Sequence, residues 1–139
     1  MMVSAAVLCL ALNIYHEARN QPVIGQIAVS EVVLNRVLDE AYPNSICGVV
    51  YQAKYEEGSN LPIRNQCQFS WYCDGKSDKP TDIDAYRWAI MLSGRILSGE
   101  FAPLTGGSIH YHSTKVTPEW KLRKEKVTQI EDHIFYKRK

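Results

Sequence analysis

Near its N-terminus the chain reads Leu12-Asn13-Ile14-Tyr15-His16-Glu17-Ala18-Arg19, an apolar segment that ends in a single carboxylate. Apolar residues recur here at the spacing of one helix face: Val7, Ala11, Ile14 and Ala18. Glu17 follows Ile14 by three residues and therefore projects from the edge of that face. Loss of hydration raises the pKa of a carboxyl group, which suits a general acid that works near neutral pH. The alternative is an ordinary helix-end glutamate, in water or in an ion pair with Arg19.

The apolar start of the chain is predicted to be the first core helix. No Lys or Arg precedes the apolar run of residues 1–12, which continues directly into the stretch that contains Glu17. The run is too short to span a bilayer, and a signal anchor is the weaker alternative. With no export signal visible, we expect another factor to deliver the protein if its substrate lies outside the cytoplasm.

Two further helices are predicted. Residues 23–38 are apolar at nearly every position, which indicates a central, buried helix. Its polar residues Glu31, Asn35 and Arg36 are expected to anchor neighbouring loops by hydrogen bonds, and a place in a cleft is the alternative. A later helix carries an apolar stripe and ends at Gly99. We expect the whole stripe, Trp88 included, to lie in the core: Ala85, Trp88, Ala89, Leu92 and Ile96.

The middle of the chain combines a polar loop with an aromatic segment. Residues 53–66 are polar and rich in turn formers, which predicts a surface loop. Residues 67–75 then gather amides and aromatic rings, among them Gln68, Phe69, Ser70 and Trp71. Such residues bind sugars, because a ring covers the apolar side of a pyranose while an amide bonds its hydroxyls. The alternative is a disulfide-closed loop whose aromatics belong to the core.

The four cysteines do not form a dense disulfide scaffold. Cys9 falls in the first helix and is predicted to be a small core residue. One bridge among Cys47, Cys67 and Cys73 is expected in an oxidising compartment, and sequence alone does not fix its pairing.

The histidines near the C-terminus raise the question of a metal site. In a strand over residues 109–113, His110 and His112 point to one face and Tyr111 to the other. His133 would be a third ligand, but no carboxylate motif completes the set. Residues 16–20 also lack the second histidine of a zinc-protease helix. We therefore expect no metal and no cofactor.

The basic residues are concentrated at the C-terminal end. Residues 115–139 carry eight Lys or Arg against four Asp or Glu, whereas residues 1–114 carry eight against eleven. Within this tail, Val127 to Tyr136 is predicted to form a short strand or the edge of a hairpin. A basic surface of this kind is attracted to an anionic envelope, and the absence of any nucleic-acid-binding motif argues against DNA or RNA as the partner.

Taken in order, these segments resemble the SleB-type cell wall hydrolases, the family of the catalytic domain of spore cortex-lytic enzymes. The matches cover about nine-tenths of the chain: Ile14 to Arg19, Gly25-Gln26 through Val33-Leu34-Asn35-Arg36, Pro43 to Gln52, Cys67 to Ser70, Gly106 to His112, Pro118-Glu119-Trp120 and His133 to Tyr136. The family usually continues Ala-Arg-Gly-Glu where this chain has Ala18-Arg19-Asn20-Gln21. The difference alters the loop after Glu17 and removes one candidate helper carboxylate.

The resemblance implies a fold and a function. The fold would be α+β and lysozyme-like, mainly helical with a small β-hairpin or sheet, in one domain over residues 1–139. The substrate would be the peptidoglycan glycan, cut between N-acetylmuramic acid and N-acetylglucosamine, with Glu17 as the essential glutamate. The stretches 68–70 and 110–112 would line the cleft, which adds His110, Tyr111 and His112 to the substrate-binding candidates. We expect a monomer that acts on the cell wall. Its format suits a phage endolysin released by a holin, and a short bacterial wall-remodelling enzyme is the alternative.

Hydrolysis by the usual glycosidase route needs two carboxylates, and only Glu17 is clearly placed. The sequence therefore favours lytic transglycosylase chemistry, in which the 6-hydroxyl of the muramic residue attacks in place of water. Three alternatives remain: a muramidase with Glu31, Asp74 or Glu119 as second acid, a zinc amidase using His110, His112 and His133, and a wall-binding module without activity.

Overall fold

The computed structural model describes residues 3–139, which form four α-helices and two small antiparallel sheets. The helices are α1 (Ala5–Ala18), α2 (Val23–Val37), α3 (Ile46–Val50) and α4 (Ile83–Leu97). The strands are β1 (Ala53–Tyr55), β2 (Pro62–Cys67), β3 (His110–Ser113), β4 (Lys124–Ile130) and β5 (His133–Arg138). Short 3₁₀ turns cover Ser70–Cys73 and Glu119–Arg123. The predicted α+β, mainly helical fold is confirmed. Within the described range, no helix has the length and apolar character needed to cross a membrane.

Helix α1 is the element on which the other helices pack. Ser4 begins it by accepting a hydrogen bond from the Val7 amide at 3.2 Å. Leu10, Ala11 and Ile14 are completely buried against the neighbouring helices. The end of α1 lies against the start of α2, because the Gln26 side chain donates to the Ala18 carbonyl at 3.1 Å.

Two disulfides crosslink the fold, one between two helices and one across a short loop. Cys9 of α1 bonds to Cys47 of α3, and Cys67 bonds to Cys73 across the segment that follows β2. Cys9 lies in the core as predicted, but it is also a disulfide partner, which the sequence did not indicate. The one bridge expected among the three later cysteines is Cys67–Cys73. Burial of Cys9 was correctly expected, but its partner comes from a helix 38 residues away, which helical periodicity does not reveal.

The polar residues of α2 anchor one loop, as predicted. The Glu31 carboxylate accepts hydrogen bonds from the amides of Leu104 and Thr105, each at 2.7 Å. Asn35 donates to the carbonyl of Ser108, and Arg36 donates through Nε to the carbonyl of Ile109 at 2.8 Å. Helix α2 thereby holds the approach to β3 in place.

Two local predictions need correction. Trp88 of α4 is 38% exposed, because it lies at the edge of the stripe and its indole N–H donates to Gln26 Oε1 at 2.9 Å. Ala89, Leu92 and Ile96 of the same stripe are buried, as expected.

Residues 53–66, predicted as a surface loop, contain the β1–β2 hairpin. Its strands are largely exposed, so they lack the alternation of apolar and polar residues that marks a half-buried strand.

The C-terminal sheet has the strand order β3-β5-β4. Tyr111 pairs with Phe135, and residues directly opposite each other in antiparallel strands share a face. This face packs on α1 and α2, where Phe135 is fully buried with Ala18 and Val32. The opposite face carries His110, His112 and Tyr136, with the Trp120 ring packed against them.

Candidate functional site

Glu17 lies in the last turn of α1 and lines a pocket of about 220 Å³. The pocket is formed by the end of α1 and the turn into α2, together with Lys115 from the loop after β3. The residues from α1 and the turn are Tyr15, His16, Glu17, Ala18, Arg19, Asn20 and Gln21. The apolar periodicity of α1 places Glu17 beside the buried side of the helix, and Lys115 approaches from the sheet. The pocket therefore lies between the helices and the C-terminal sheet.

The Glu17 carboxyl is held by one hydroxyl. Tyr111 of β3 donates its O–H to Glu17 Oε1 at 2.5 Å. Burial raises the pKa of Glu17, and the Tyr111 hydrogen bond together with the charges of His16 and Arg36 opposes that rise. Burial also raises the pKa of the Tyr111 phenol, so its proton stays in place to donate. A carboxyl group of raised pKa beside a pocket is equipped to donate a proton near neutral pH.

Arg19 does not form the ion pair with Glu17 that the sequence allowed. Its guanidinium donates through Nη1 to the Tyr15 hydroxyl at 2.5 Å and stacks over the Tyr15 ring, 4.4 Å from the centroid. The Tyr15 oxygen also accepts hydrogen bonds from the amides of Thr81 and Asp82 at the start of α4. Tyr15 thus fixes Arg19 at the mouth of the pocket and leaves Glu17 without a salt bridge among residues 3–139.

Arg36 supplies a buried positive charge behind this pair. It is 6% exposed, and its guanidinium lies between the rings of Tyr42 and Phe69, at 4.9 and 5.3 Å. Burial lowers the pKa of Arg36, whereas the nearby Tyr42, Tyr111 and Glu17 raise it. Its charge favours the ionised form of Glu17.

Of the four candidates in residues 68–71, two are core residues. Phe69 is 3% exposed and Trp71 is 6% exposed. The Trp71 indole donates to Asn13 Oδ1 at 2.9 Å, and its ring stacks on His16 with 4.5 Å between centroids. Their faces are not available to a sugar, which agrees with the alternative of core aromatics in a disulfide-closed loop. Gln68 and Ser70 are exposed, and Gln68 lines a groove of about 650 Å³ with other polar residues: Gln52, Lys54, Asn65 and Gln66.

Of the three candidates in β3, only Tyr111 reaches Glu17. His110 and His112 lie on the opposite face of the sheet. His112 is buried, with Nδ1 donating to the Ser113 carbonyl and Nε2 accepting from the Tyr136 hydroxyl at 2.7 Å. Burial lowers the pKa of His110 to about 4. These two histidines support the packing of the Glu119–Arg123 turn on the sheet through Trp120.

The three-histidine zinc alternative is contradicted by the same strand geometry. His133 pairs with Ser113, which places it on the face of Tyr111, away from His110 and His112. Its ring packs edge-on against the Tyr111 ring at 5.2 Å between centroids. Three ligands on two faces of one sheet cannot meet at one ion.

The carboxylates considered as a second acid do not line the Glu17 pocket. Glu31 is taken up by the amides of residues 104 and 105. Asp74 accepts from the Lys76 amide at 2.9 Å. Glu119 is exposed in the 3₁₀ turn beyond the sheet. Glu17 is therefore the one carboxylate among the described residues that lines this pocket.

A sequence model of the family described as Cell Wall Hydrolase matches residues 20–136. The chain belongs to this cell wall hydrolase family. The match covers α2 to β5 and begins three residues after Glu17, so the assignment of Glu17 depends on the geometry and on the relatives below.

Several proteins of known description are similar to this cell wall hydrolase. The spore cortex-lytic enzyme of Halalkalibacterium halodurans is 28% identical over 127 residues, which cover 91% of this chain and 33% of the relative. That of Bacillus cereus is 27% identical over 129 residues, covering 92% of this chain and 42% of the relative. The chain thus spans between a third and about two-fifths of the length of these relatives.

Two solved structures share the fold. One is the catalytic domain of the germination-specific lytic transglycosylase SleB from Bacillus anthracis, with a TM-score of 0.69, 26% identity and coverage of 96% of both chains. The other is the catalytic domain of Bacillus cereus SleB, with a TM-score of 0.63, 28% identity and coverage of 98% of this chain and 93% of that one.

The sequence did not reveal the Tyr111–Glu17 contact, because the two residues are 94 positions apart. It also did not bring Lys115 to Glu17. The available signal was the alternation in β3, which places Tyr111 opposite His110 and His112 without indicating which face meets α1.

Proposed function

We propose that this cell wall hydrolase cleaves the peptidoglycan glycan between N-acetylmuramic acid and N-acetylglucosamine as a lytic transglycosylase, with Glu17 as its acid and base. The observation that carries the proposal is a single, partly buried carboxyl of raised pKa at the pocket, held by the Tyr111 hydroxyl. The similarity to a domain described as a germination-specific lytic transglycosylase supports it.

In the proposed reaction Glu17 begins protonated. It donates its proton to the glycosidic oxygen, the bond from that oxygen to the anomeric carbon breaks, and positive charge develops on the muramic ring. The Glu17 carboxylate then accepts the proton of the muramic 6-hydroxyl as its oxygen attacks the anomeric carbon. The products are a 1,6-anhydromuramic end and a free 4-hydroxyl on the leaving sugar. No water is consumed, and Glu17 ends protonated.

The surroundings of Glu17 suit a group that changes its charge twice in one turnover. The Tyr111 hydrogen bond and the Arg36 charge stabilise the intermediate carboxylate, while burial favours the neutral acid at the start. Because none of the carboxylates considered as partners lines the pocket, a mechanism that needs only one acid fits better than one that needs two. For the substrate-binding role we retain Gln68, which lines the polar groove, and the exposed Ser70. Tyr111 is kept as the residue that holds Glu17.

The test is mass spectrometry of the products that the purified protein releases from isolated peptidoglycan. We expect anhydromuramic ends, each lighter by one water than a reducing end, from the wild type. We expect no such products from Glu17→Gln, and wild-type amounts from Glu57→Gln, which changes an exposed glutamate of the β1–β2 hairpin. Reducing muramic ends would show hydrolysis, and intact glycan with free stem peptides would overturn the glycosidase assignment.

We also propose that the basic β4–β5 hairpin draws the protein to the anionic wall. Its charges are not equally free to act. Arg138 pairs with Asp39, and Lys137 lies 3.9 Å from a Glu125 oxygen. Exposed ion pairs contribute little to stability and are screened by salt. Because Arg138 makes two hydrogen bonds to Asp39 while the Lys137 pair lies at the limit of ion-pair distance, the attraction should come mainly from the lysines.

A further inference from the structure

The pocket around Glu17 carries two positive side chains that the proposed proton transfers do not use. Arg19 enters from the end of α1, and Lys115 enters from the loop after β3. Both side chains are exposed. Two cations that flank a pocket favour an anionic group on whatever occupies it.

Arg19 is held in position rather than free in solution. Its Nη1 donates to the Tyr15 hydroxyl, and its Cζ lies over the Tyr15 ring, 4.4 Å from the centroid. That ring is 4% exposed and is itself fixed by the start of α4. A guanidinium has five N–H donors in a fixed fork, which matches the two oxygens of a carboxylate, so a fixed Arg19 is well prepared to bind one.

Lys115 is placed by a tight turn. Its amide donates to Ser113 Oγ at 3.1 Å, and the preceding Thr114 amide donates to the Asp132 carbonyl at 2.9 Å. The Asp132 carboxylate accepts from the Gln21 side-chain amide at 3.1 Å. Among residues 3–139, neither Arg19 nor Lys115 has a carboxylate within ion-pair distance. Their charges remain available to a ligand.

We infer that Arg19 and Lys115 bind a carboxylate on the 3-O-lactyl arm of the muramic residue and so select muramic glycan over neutral sugar chains. This inference rests on the proposed function, because it names the substrate group that the same pocket takes. The sugar rings of the glycan are neutral, so its negative charges lie on these arms. The carboxylate has two sources: the lactyl group itself where the peptide is absent, and the stem peptide where it is present.

The test compares cleavage of matched substrates. Glycan strands freed of peptide and strands that keep it are each used unchanged and after coupling of their carboxylates to methylamine, which removes the charge. The wild type should lose about tenfold in kcat/KM on the methylamidated strands, as expected for losing charge-assisted hydrogen bonds at a partly exposed site. Arg19→Gln/Lys115→Gln should cleave charged and methylamidated strands at similar rates. Lys76→Gln/Arg87→Gln, which removes two positive charges outside the pocket, should discriminate as the wild type does.

The substrate on which discrimination is seen identifies the carboxylate. Discrimination on strands freed of peptide identifies the lactyl carboxylate, and discrimination on peptide-bearing strands alone identifies the stem peptide. Equal cleavage of charged and methylamidated strands by the wild type overturns the inference, as does undiminished discrimination by the double variant. Should the double variant fail to fold, Lys115→Gln alone, which changes an exposed loop, is tested instead. This variant should lose part of the discrimination between charged and methylamidated strands.

Binding of the same strands to Glu17→Gln protein is measured in parallel, since this readout does not require cleavage. Preference for charged strands that Arg19→Gln/Lys115→Gln abolishes in this background supports carboxylate recognition even if the wild type proves not to be a transglycosylase. Binding that ignores methylamidation overturns the inference whatever the products of the reaction are.

Discussion

Replacing Tyr111 by Phe tests whether Glu17 depends on its hydrogen bond from the Tyr111 hydroxyl. The substitution removes a hydroxyl and keeps the ring, which packs against Phe135 and His133 at 5.8 and 5.2 Å between centroids. The hydroxyl that is lost donates to Glu17 Oε1 at 2.5 Å. A donor to a carboxylate stabilises the charged form, so its loss raises the pKa of Glu17 further.

The size of the effect follows from the energy of that bond. A hydrogen bond to a charged group contributes about 1.5–3 kcal/mol, and about 1.4 kcal/mol corresponds to one pH unit. Glu17 must be protonated to act as the acid, so activity falls as the pH rises through its pKa. In Tyr111→Phe the alkaline limb of the pH–rate profile should therefore move upward by about one to two pH units. The plateau at lower pH should drop about three- to tenfold, because the carboxylate formed on proton donation is less stabilised.

The assay is the initial rate of glycan cleavage as a function of pH, for the wild type, Tyr111→Phe and Tyr55→Phe. The last variant is a matched control, because the Tyr55 hydroxyl also donates a hydrogen bond, to the Tyr51 carbonyl at 2.8 Å, outside the Glu17 pocket. A profile of Tyr111→Phe that coincides with the wild type, or an alkaline limb that moves downward, would refute the reasoning.

Two further predictions concern stability and surface charge. Burial raises the pKa of Glu17 in the folded protein, so its ionisation opposes folding once the pH exceeds the unfolded value. Glu17→Gln should therefore raise Tm by a few degrees at neutral pH, with the gain fading as the pH falls below about 4, whereas Glu57→Gln should leave Tm unchanged; a gain that persists in acid would contradict this. Lys137→Gln/Lys139→Gln, with Arg138 kept, should slow lysis of intact walls at low salt and much less at high salt; equal slowing at both would remove the hairpin from wall attraction.

The sequence predicted the elements whose burial repeats along the chain. Apolar periodicity identified α1 and α4, and a nearly continuous apolar run identified α2. The polar exceptions in α2 were correctly interpreted as loop anchors, because a partly buried carboxylate such as Glu31 needs donors. The β1–β2 hairpin was not predicted, because neither of its faces is consistently buried. Trp88 was misplaced because periodicity gives the direction of a side chain and not the distance to the next helix.

The composition of the site was harder to predict than its centre. The position of Glu17 at the edge of an apolar face was enough to single it out. The hydroxyl that holds Glu17 comes from Tyr111 of β3 and the buried charge behind it from Arg36 of α2. Only the pairing of β3 with β5 decides that Tyr111 faces the helices. Composition alone suggested that Phe69 and Trp71 contact a sugar. In the structure both are core residues: Trp71 donates a hydrogen bond to Asn13, and the Phe69 ring packs against Arg36.

The disulfide between Cys9 and Cys47 makes the two sides of a membrane unequal environments for this chain. A crosslink that closes 38 residues stabilises a fold by about 4 kcal/mol in the chain-entropy estimate, against a total that is typically about 5–15 kcal/mol. The bond spans α1 and α3, so it restrains the same helix that carries Glu17. In a reducing cytosol the helix lacks this restraint, and in an oxidising compartment it gains it. The folded chain is thus least stable in the cytosol, where there is no cell wall, and most stable in the oxidising compartment that contains the wall.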